Sequence, residues 1–188
     1  MTSPVTVFMI ACWVIFAAYW IATAFSVKKT VEKKNWFSWI YRLLAIIIMA
    51  VAITLFVKGF GGPILWPRNM FMSALAEIVT LAGLVLAIWA RRTLGKNWSA
   101  NVVLKEDHEL VTTGPYTYVR HPIYSAILLF VLGAAIHYRH VGGFILFIMF
   151  FAGAWYKAHQ EEKLMTAHFG EKYLEYKKNV KGLVPWVV

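Results

Sequence analysis

The stretch "IYSAILLFVLGAAIHYRHVGGFILFIMFFAGAWY", Ile123 to Tyr156, decides the fold. It consists of two apolar runs, Ile123–Tyr138 and Val141–Tyr156, separated only by Arg139 and His140. Neither run alternates polar with apolar residues, as a half-buried strand would. Backbone N–H and C=O groups cannot stay unpaired in lipid, so each run is expected to be a helix, and the two a hairpin. Sixteen residues at 1.5 Å each reach roughly 24 Å, less than a hydrocarbon core of roughly 30 Å. The chain entering the first run and leaving the second is therefore expected near headgroup depth.

Three further apolar spans precede this hairpin: Val5–Val27, Trp36–Val57 and Asn69–Ala90, each of 22 or 23 residues. The sum is an all-α, polytopic membrane protein with five transmembrane helices. A β-barrel would need short alternating segments. One integral membrane domain over residues 1–188 is expected, with three helices in 1–90 and the remaining part, richer in polar chemistry, in 91–188. Composition agrees: 60% of the 188 residues are hydrophobic, 15% are charged and mean hydropathy is +0.61. A soluble chain of this length could not hide that much apolar surface. The N-terminal run lacks a basic n-region and is too long for a signal peptide, so it reads as a retained helix. Its Ala18, Ala22 and Ser26, four residues apart, offer a small-residue face for packing within the bundle. A single cysteine, Cys12, excludes an intramolecular disulfide and a cysteine-based metal cluster.

Net charge is +10, but the basic residues flank apolar runs instead of forming one patch, which argues against nucleic acid and for membrane lipids as partners. Alternate segments between spans carry sixteen Lys and Arg against three. The rich side is expected to be cytoplasmic, with the N-terminus outside and the C-terminus inside. On the poor side, "GFGGP" (Gly59–Pro63) follows no strand and reads as a turn, not a phosphate loop. His137 and His140 have no acidic or cysteine neighbour, so no metal is expected. Glu77, inside the third span, is either functional or paired with Arg68, Lys58 or Arg139.

Polar chemistry concentrates in two segments flanking the hairpin: "HELVTTGPYTYVRHPIY" (His108–Tyr124) and "KAHQEEKLMTAHFGEKYLEY" (Lys157–Tyr176). The hairpin should bring them together. The first supplies Arg120 and His121, donors suited to a carboxylate, and the second Glu161 and Glu162, acceptors suited to an ammonium. Tyrosines, Leu110 and Val111 could wall a flat ring. Such a set fits a ligand with an amino-acid end and an aromatic end, as in S-adenosylmethionine. Pro122 suits a first helical turn. Met165, Phe169, Tyr173, Tyr176 and Val180 recur three or four apart, an amphipathic stripe with a break expected at Gly170. It reads as an interfacial helix, a lid over the third-loop segment, or both.

Together, "LGKNWS…HELVTTGPYTYVRHPIY", then "EE" and "FGEKYLEY", resembles the isoprenylcysteine carboxyl methyltransferase-like membrane enzymes within the wider phospholipid methyltransferases. The likeness runs from about Leu94 to Pro185. It implies a short, five-helix, prokaryotic inner-membrane enzyme that uses S-adenosylmethionine. By position, the resemblance implies cofactor contacts at His108, Glu109, Leu110, Val111, Tyr116, His121, Pro122, Ile123, Tyr124 and Glu161. It puts Lys157 where prenylcysteine enzymes have an arginine facing the substrate carboxylate. Two departures bear on the acceptor more than on the reaction: Ala126 stands where phospholipid methyltransferases often have glycine, and Lys157 lacks an arginine's bidentate fork. The acceptor is expected to be a small lipid or a prenylated molecule. With a carboxylate acceptor no base is needed; with an amine, Glu162 is a candidate base. An NADPH-dependent sterol-type reductase and a non-catalytic membrane binding protein are the alternatives.

Overall fold

The computed structural model describes residues 3–24, 62–99 and 109–185. The expected second span, Trp36–Val57, lies outside the described residues, as do Ser26 and His108. The described residues form five α-helices in order: α1 Pro4–Ala24, α2 Met70–Leu94, α3 Pro122–Tyr138, α4 Val141–Phe169 and α5 Glu171–Asn179. Three described helices (α1, the α2 run to Asn97, and α4) are long and apolar enough to cross a bilayer, while α3 is an apolar helix of 17 residues. Single 3₁₀ turns occupy Gly95–Asn97 and Gly114–Thr117.

Helices α2 and α3 form the tightest contact. Buried Ala76, Thr80, Gly83, Ala87 and Ala90 recur at alternating four- and three-residue steps on α2. They meet Ala126, Phe130 and Gly133 of α3, which share that spacing and are buried. Lipid tails are as apolar as leucine, so close backbone approach over small residues does the packing. A Cβ on Gly133 would run into Thr80 Oγ1 and come within 3.1 Å of the Ala76 carbonyl. Thr80 donates its hydroxyl to that carbonyl at 2.8 Å, so its polarity is spent inside the helix.

Helix α1 corrects the sequence reading. Ala18 and Ala22 are exposed; they do not pack in the bundle. The inward face instead carries Met9, Cys12, Phe16 and Trp20, three and four apart and mostly large. Phe130 is fully buried, its ring centroid 4.6 Å from Trp13 and 5.3 Å from Phe16. Shape, not smallness, is what α1 contributes. Arg91 also departs from a solvated loop charge: it is 2% exposed. It donates to the Thr23 carbonyl of α1 at 2.6 Å and to the Gly95 carbonyl after α2 at 2.7 Å, with Trp98 4.7 Å from its guanidinium. A cation there answers the unpaired carbonyls of two helix ends at once.

The hairpin forms as expected, but its second arm is longer. Helix α4 does not stop at Tyr156; it continues through "KAHQEEKLMTAHF" for 29 residues in all. That continuation holds strong helix formers and no breaker before Gly170. There φ reaches 55° and the Gly170 N–H closes on the Thr166 carbonyl at 2.9 Å. The amphipathic stripe is thus divided: Met165 and Phe169 finish α4, Tyr173 and Tyr176 belong to α5.

Candidate functional site

The apolar runs pin the hairpin, and α4's polar extension then rises beside the chain that leads into α3. Lys157, Glu161, Leu164 and Met165 fall three and four apart on one face of α4. They line a cavity of about 320 Å³. Glu109, Leu110, Val111 and Tyr116 line it from the preceding segment, and Arg120, His121, Pro122, Ile123 and Tyr124 from the start of α3. The two segments set apart by sequence therefore face one space, at the low end of the roughly 300–1,000 Å³ typical of ligand pockets.

The segment before α3 is held in place by its backbone. Gly114 has φ 60°, and a Cβ there would lie 2.9 Å from Thr93 Oγ1, so this turn sits directly on α2. Arg120 and His121 donate their N–H groups to the carbonyls of Lys181 and Gly182 at 2.8 and 3.0 Å. Ser125 Oγ donates to the Leu183 carbonyl at 2.5 Å, and Leu183 is 2% exposed. The tail thus folds back as a brace. Pro122 takes the first position of α3, where a missing N–H costs nothing. His121 precedes it without a side-chain capping bond, leaving its ring for other partners.

Those partners are the two glutamates, and they divide sharply. Glu162 is buried and stands outside the cavity lining. Its Oε1 accepts from Arg120 Nε at 2.8 Å and Nη2 at 2.5 Å, and from His121 Nε2 at 3.2 Å; its Oε2 meets Lys177 Nζ at 2.7 Å. Both oxygens are committed, which corrects the reading of Glu162 as a base. Arg120 belongs to the same cluster. Its Nη1 donates to the Val180 carbonyl, so the guanidinium is held chiefly by protein acceptors at the edge of the cavity it lines. Glu161, in contrast, faces the cavity. Its Oε1 accepts the Tyr124 hydroxyl and its Oε2 lies 3.4 Å from His121 Nδ1. Both His121 nitrogens face carboxylates, an arrangement only the imidazolium satisfies. Burial alone would lower the His121 pKa, but hydrogen bonds to Glu161 and Glu162 outweigh it and hold it above its ordinary value.

Around this polar floor the walls are aromatic. Tyr124 stacks on His121 at 15°, and Lys157 Nζ lies 5.4 Å from the Tyr124 ring centroid. Burial first, then Tyr176 and Glu161, raise the Tyr116 pKa, so that phenol stays neutral. Tyr173 and Tyr176 close the cavity from α5, with the Tyr176 hydroxyl on the Tyr116 carbonyl at 2.5 Å. The stripe therefore does pack as a lid. Sequence reasoning left out Trp20 of α1 and Asn97 and Trp98 after α2, all of which line the cavity. Asn97 is 8% exposed, and its Oδ1 is sealed without a hydrogen-bond partner. Among the described residues it is the only such orphaned acceptor. Its one signal in sequence is "LGKNWS". At the other end of the hairpin His137 Nε2 pairs with Thr6 Oγ1 at 3.0 Å and His140 Nδ1 with the Gly62 carbonyl at 2.8 Å. Glu77 is half-buried and forms no ion pair with Arg68 or Arg139.

Known proteins resemble this arrangement. The protein-S-isoprenylcysteine O-methyltransferase of Schizosaccharomyces pombe is 33% identical over 99 residues, covering 50% of this chain and 41% of that protein. The Xenopus laevis protein-S-isoprenylcysteine O-methyltransferase is 32% identical over 124 residues, 62% of this chain and 42% of its own. The chain thus spans about two fifths of the length of these relatives. The structure of isoprenylcysteine carboxyl methyltransferase, a eukaryotic intramembrane Ras methyltransferase, superposes with a TM-score of 0.66 at 20% identity. It covers all of this chain and 70% of that one, a likeness of fold. The family model for phospholipid methyltransferase matches residues 71–172, from the first turn of α2 to the start of α5 and so across the whole hairpin and the cavity's main walls. More than half of the sequence fits that model, and the chain belongs to the phospholipid methyltransferase family.

Proposed function

We propose that the protein transfers a methyl group from S-adenosylmethionine to the carboxylate of a lipophilic, isoprenylcysteine-like acceptor at the membrane. The observation that carries this reading is the cavity in which Glu161 sits on a polar floor beneath aromatic walls. The lining fits the cofactor: Glu161 offers a carboxylate to an ammonium, and Tyr116, Tyr124 and Tyr176 offer aromatic surface to a flat ring. S-adenosylmethionine supplies an electrophilic methyl group on a sulfonium. Glu161 binds the ammonium of the amino-acid end, its orientation fixed by Tyr124 and His121. The positive start of α3 favours that end's carboxylate, while both His121 nitrogens stay on the two glutamates. Tyr116, Tyr176, Leu110 and Val111 exclude water, which strengthens every charge interaction inside. Lys157 attracts and orients a carboxylate acceptor; the same cation repels an ammonium, which favours carboxyl methylation over amine methylation. Orientation then carries the catalysis, with no base required.

The described Lys and Arg of the rich segments, Arg91, Lys96, Arg120, Lys157 and Lys177 among them, lie at the cavity end, which supports a cytoplasmic opening with the C-terminus inside. The relatives' named activity supports the acceptor class. Titration calorimetry on the purified chain tests the donor site: S-adenosylmethionine and S-adenosylhomocysteine are expected to bind, and NADPH is not. Glu161→Ala is expected to abolish S-adenosylhomocysteine binding; unchanged affinity would remove Glu161 from the site.

A further inference from the structure

A second hollow opens at the far end of α3, roughly 24 Å from the cavity by helix rise along its 17 residues. It encloses about 80 Å³. Arg68, Asn69, Ser73 and Ser3 line it together with His137 and Arg139 at the end of α3. Of the three basic residues on the Lys- and Arg-poor side of the chain, two converge here. Among the described residues no carboxylate lines the hollow, and neither arginine makes an ion pair. Arg139 Nε is sealed without a hydrogen-bond partner, and Nη1 reaches only the Trp66 carbonyl, at 3.5 Å.

The backbone adds the same polarity. Helix α2 begins at this hollow and has no acidic residue in its first turn. Asn69 Oδ1 caps the Met72 N–H at 2.8 Å, and the Ser73 N–H bonds the Asn69 carbonyl. The N–H groups of Met70 and Phe71 have no acceptor within the helix. Two guanidiniums and a positive helix end thus surround a space with no negative charge in its lining. Holding like charges together beside lipid costs free energy unless an anion joins them.

We propose that this hollow binds a phosphate group, supplied by a phospholipid headgroup. Its size suits one oxyanion: a water takes about 30 Å³ of liquid, so this volume excludes a nucleotide. Arginine pairs phosphate oxygens through two parallel N–H bonds, which occupies the donors left over here. The flanking surface suits acyl chains. Met70 and Phe71, next to the cap, are 89% and 72% exposed. A phosphodiester in the hollow would lay its tails along them.

The test uses the full chain, purified in neutral detergent and stripped of lipid, with phosphatidylglycerol and inorganic phosphate as separate probes. Native mass spectrometry is expected to detect bound phosphatidylglycerol, with roughly tenfold weaker retention in the Arg68→Gln/Arg139→Gln double variant. Arg68→Gln alone touches an exposed side chain outside any helix and should lose several-fold on the same scale, which keeps the test open if the double variant does not fold. Inorganic phosphate that raises the Tm of the native chain but not of the variants would keep the phosphate site and make its source a free anion. Retention of both probes that the arginine substitutions leave unchanged, or no retention of either, would overturn the proposal.

Discussion

The two ends of α3 carry nearly the same residue types. Arg120 and His121 stand at its start; His137, Arg139 and His140 stand at its end. At the start, every polar atom of Arg120 and His121 meets a carboxylate or a carbonyl. At the end, no carboxylate of the described residues joins the arginine. The difference is made by α4, which begins at the far end and passes the near end with three polar turns to spare. Its extension delivers Glu161 and Glu162 to one end only. A basic pair becomes half of an organised site where the fold brings it acids. Elsewhere it stays an unsatisfied charge that calls for an anion from outside.

The sharpest way to break this contrast is to remove the acid. Glu162→Ala strips Arg120, His121 and Lys177 of their shared partner while Arg120 and His121 stay largely buried. Uncompensated buried charge of this kind costs about 3–5 kcal/mol. The melting transition should fall by the largest margin of any substitution here, and the tail brace at Lys181–Leu183 should become susceptible to protease. A small loss would mean that the pairs are screened and that the near end is not organised by Glu162.

A smaller effect tests His121. Its pKa lies above the ordinary 6.5, so the charged ring stabilises the folded chain. That contribution is complete below the unfolded value and is lost as pH rises through the folded one. Tm is therefore expected to decline as pH is raised above the ordinary imidazole range, and His121→Gln should flatten that decline. An equally steep decline in the variant would assign it to other groups.

Much of this was legible in sequence, for reasons that can be stated. Continuous apolar runs have few structural outcomes in lipid, so the hairpin at Ile123–Tyr156 followed from chemistry alone. The pairing of its flanking polar segments followed from topology. What composition could not distinguish was Glu161 from Glu162. The two are neighbours in sequence, yet about 100° of helical rotation sends one to the cavity and the other into the ion cluster. The partner of Arg120 follows the same rule: it is chosen by rotation about α4, not by residue type. Asn97 escaped because a lone amide has no spacing signal; only its sealed, unpartnered oxygen marks it. On α1 the small residues suggested close packing, but Phe130 required the aromatic face instead.

The smallest effect belongs to the far end. Arg139→Gln removes a guanidinium whose Nε has no partner and whose Nη1 contact is 3.5 Å long. The backbone bond from the Arg139 N–H to the Ala135 carbonyl, at 2.9 Å, does not depend on the side chain and survives. Removing the charge also relieves repulsion with Arg68 across the hollow. In lipid-free neutral detergent the loss and the relief should nearly cancel, leaving stability within about 0.5 kcal/mol of the native chain. Adding phosphatidylglycerol should then separate the two, because only the native chain has both arginines to gain from it. A loss as large as that of Glu162→Ala, without lipid present, would mean that Arg139 already has a strong partner and that the two ends of α3 are alike.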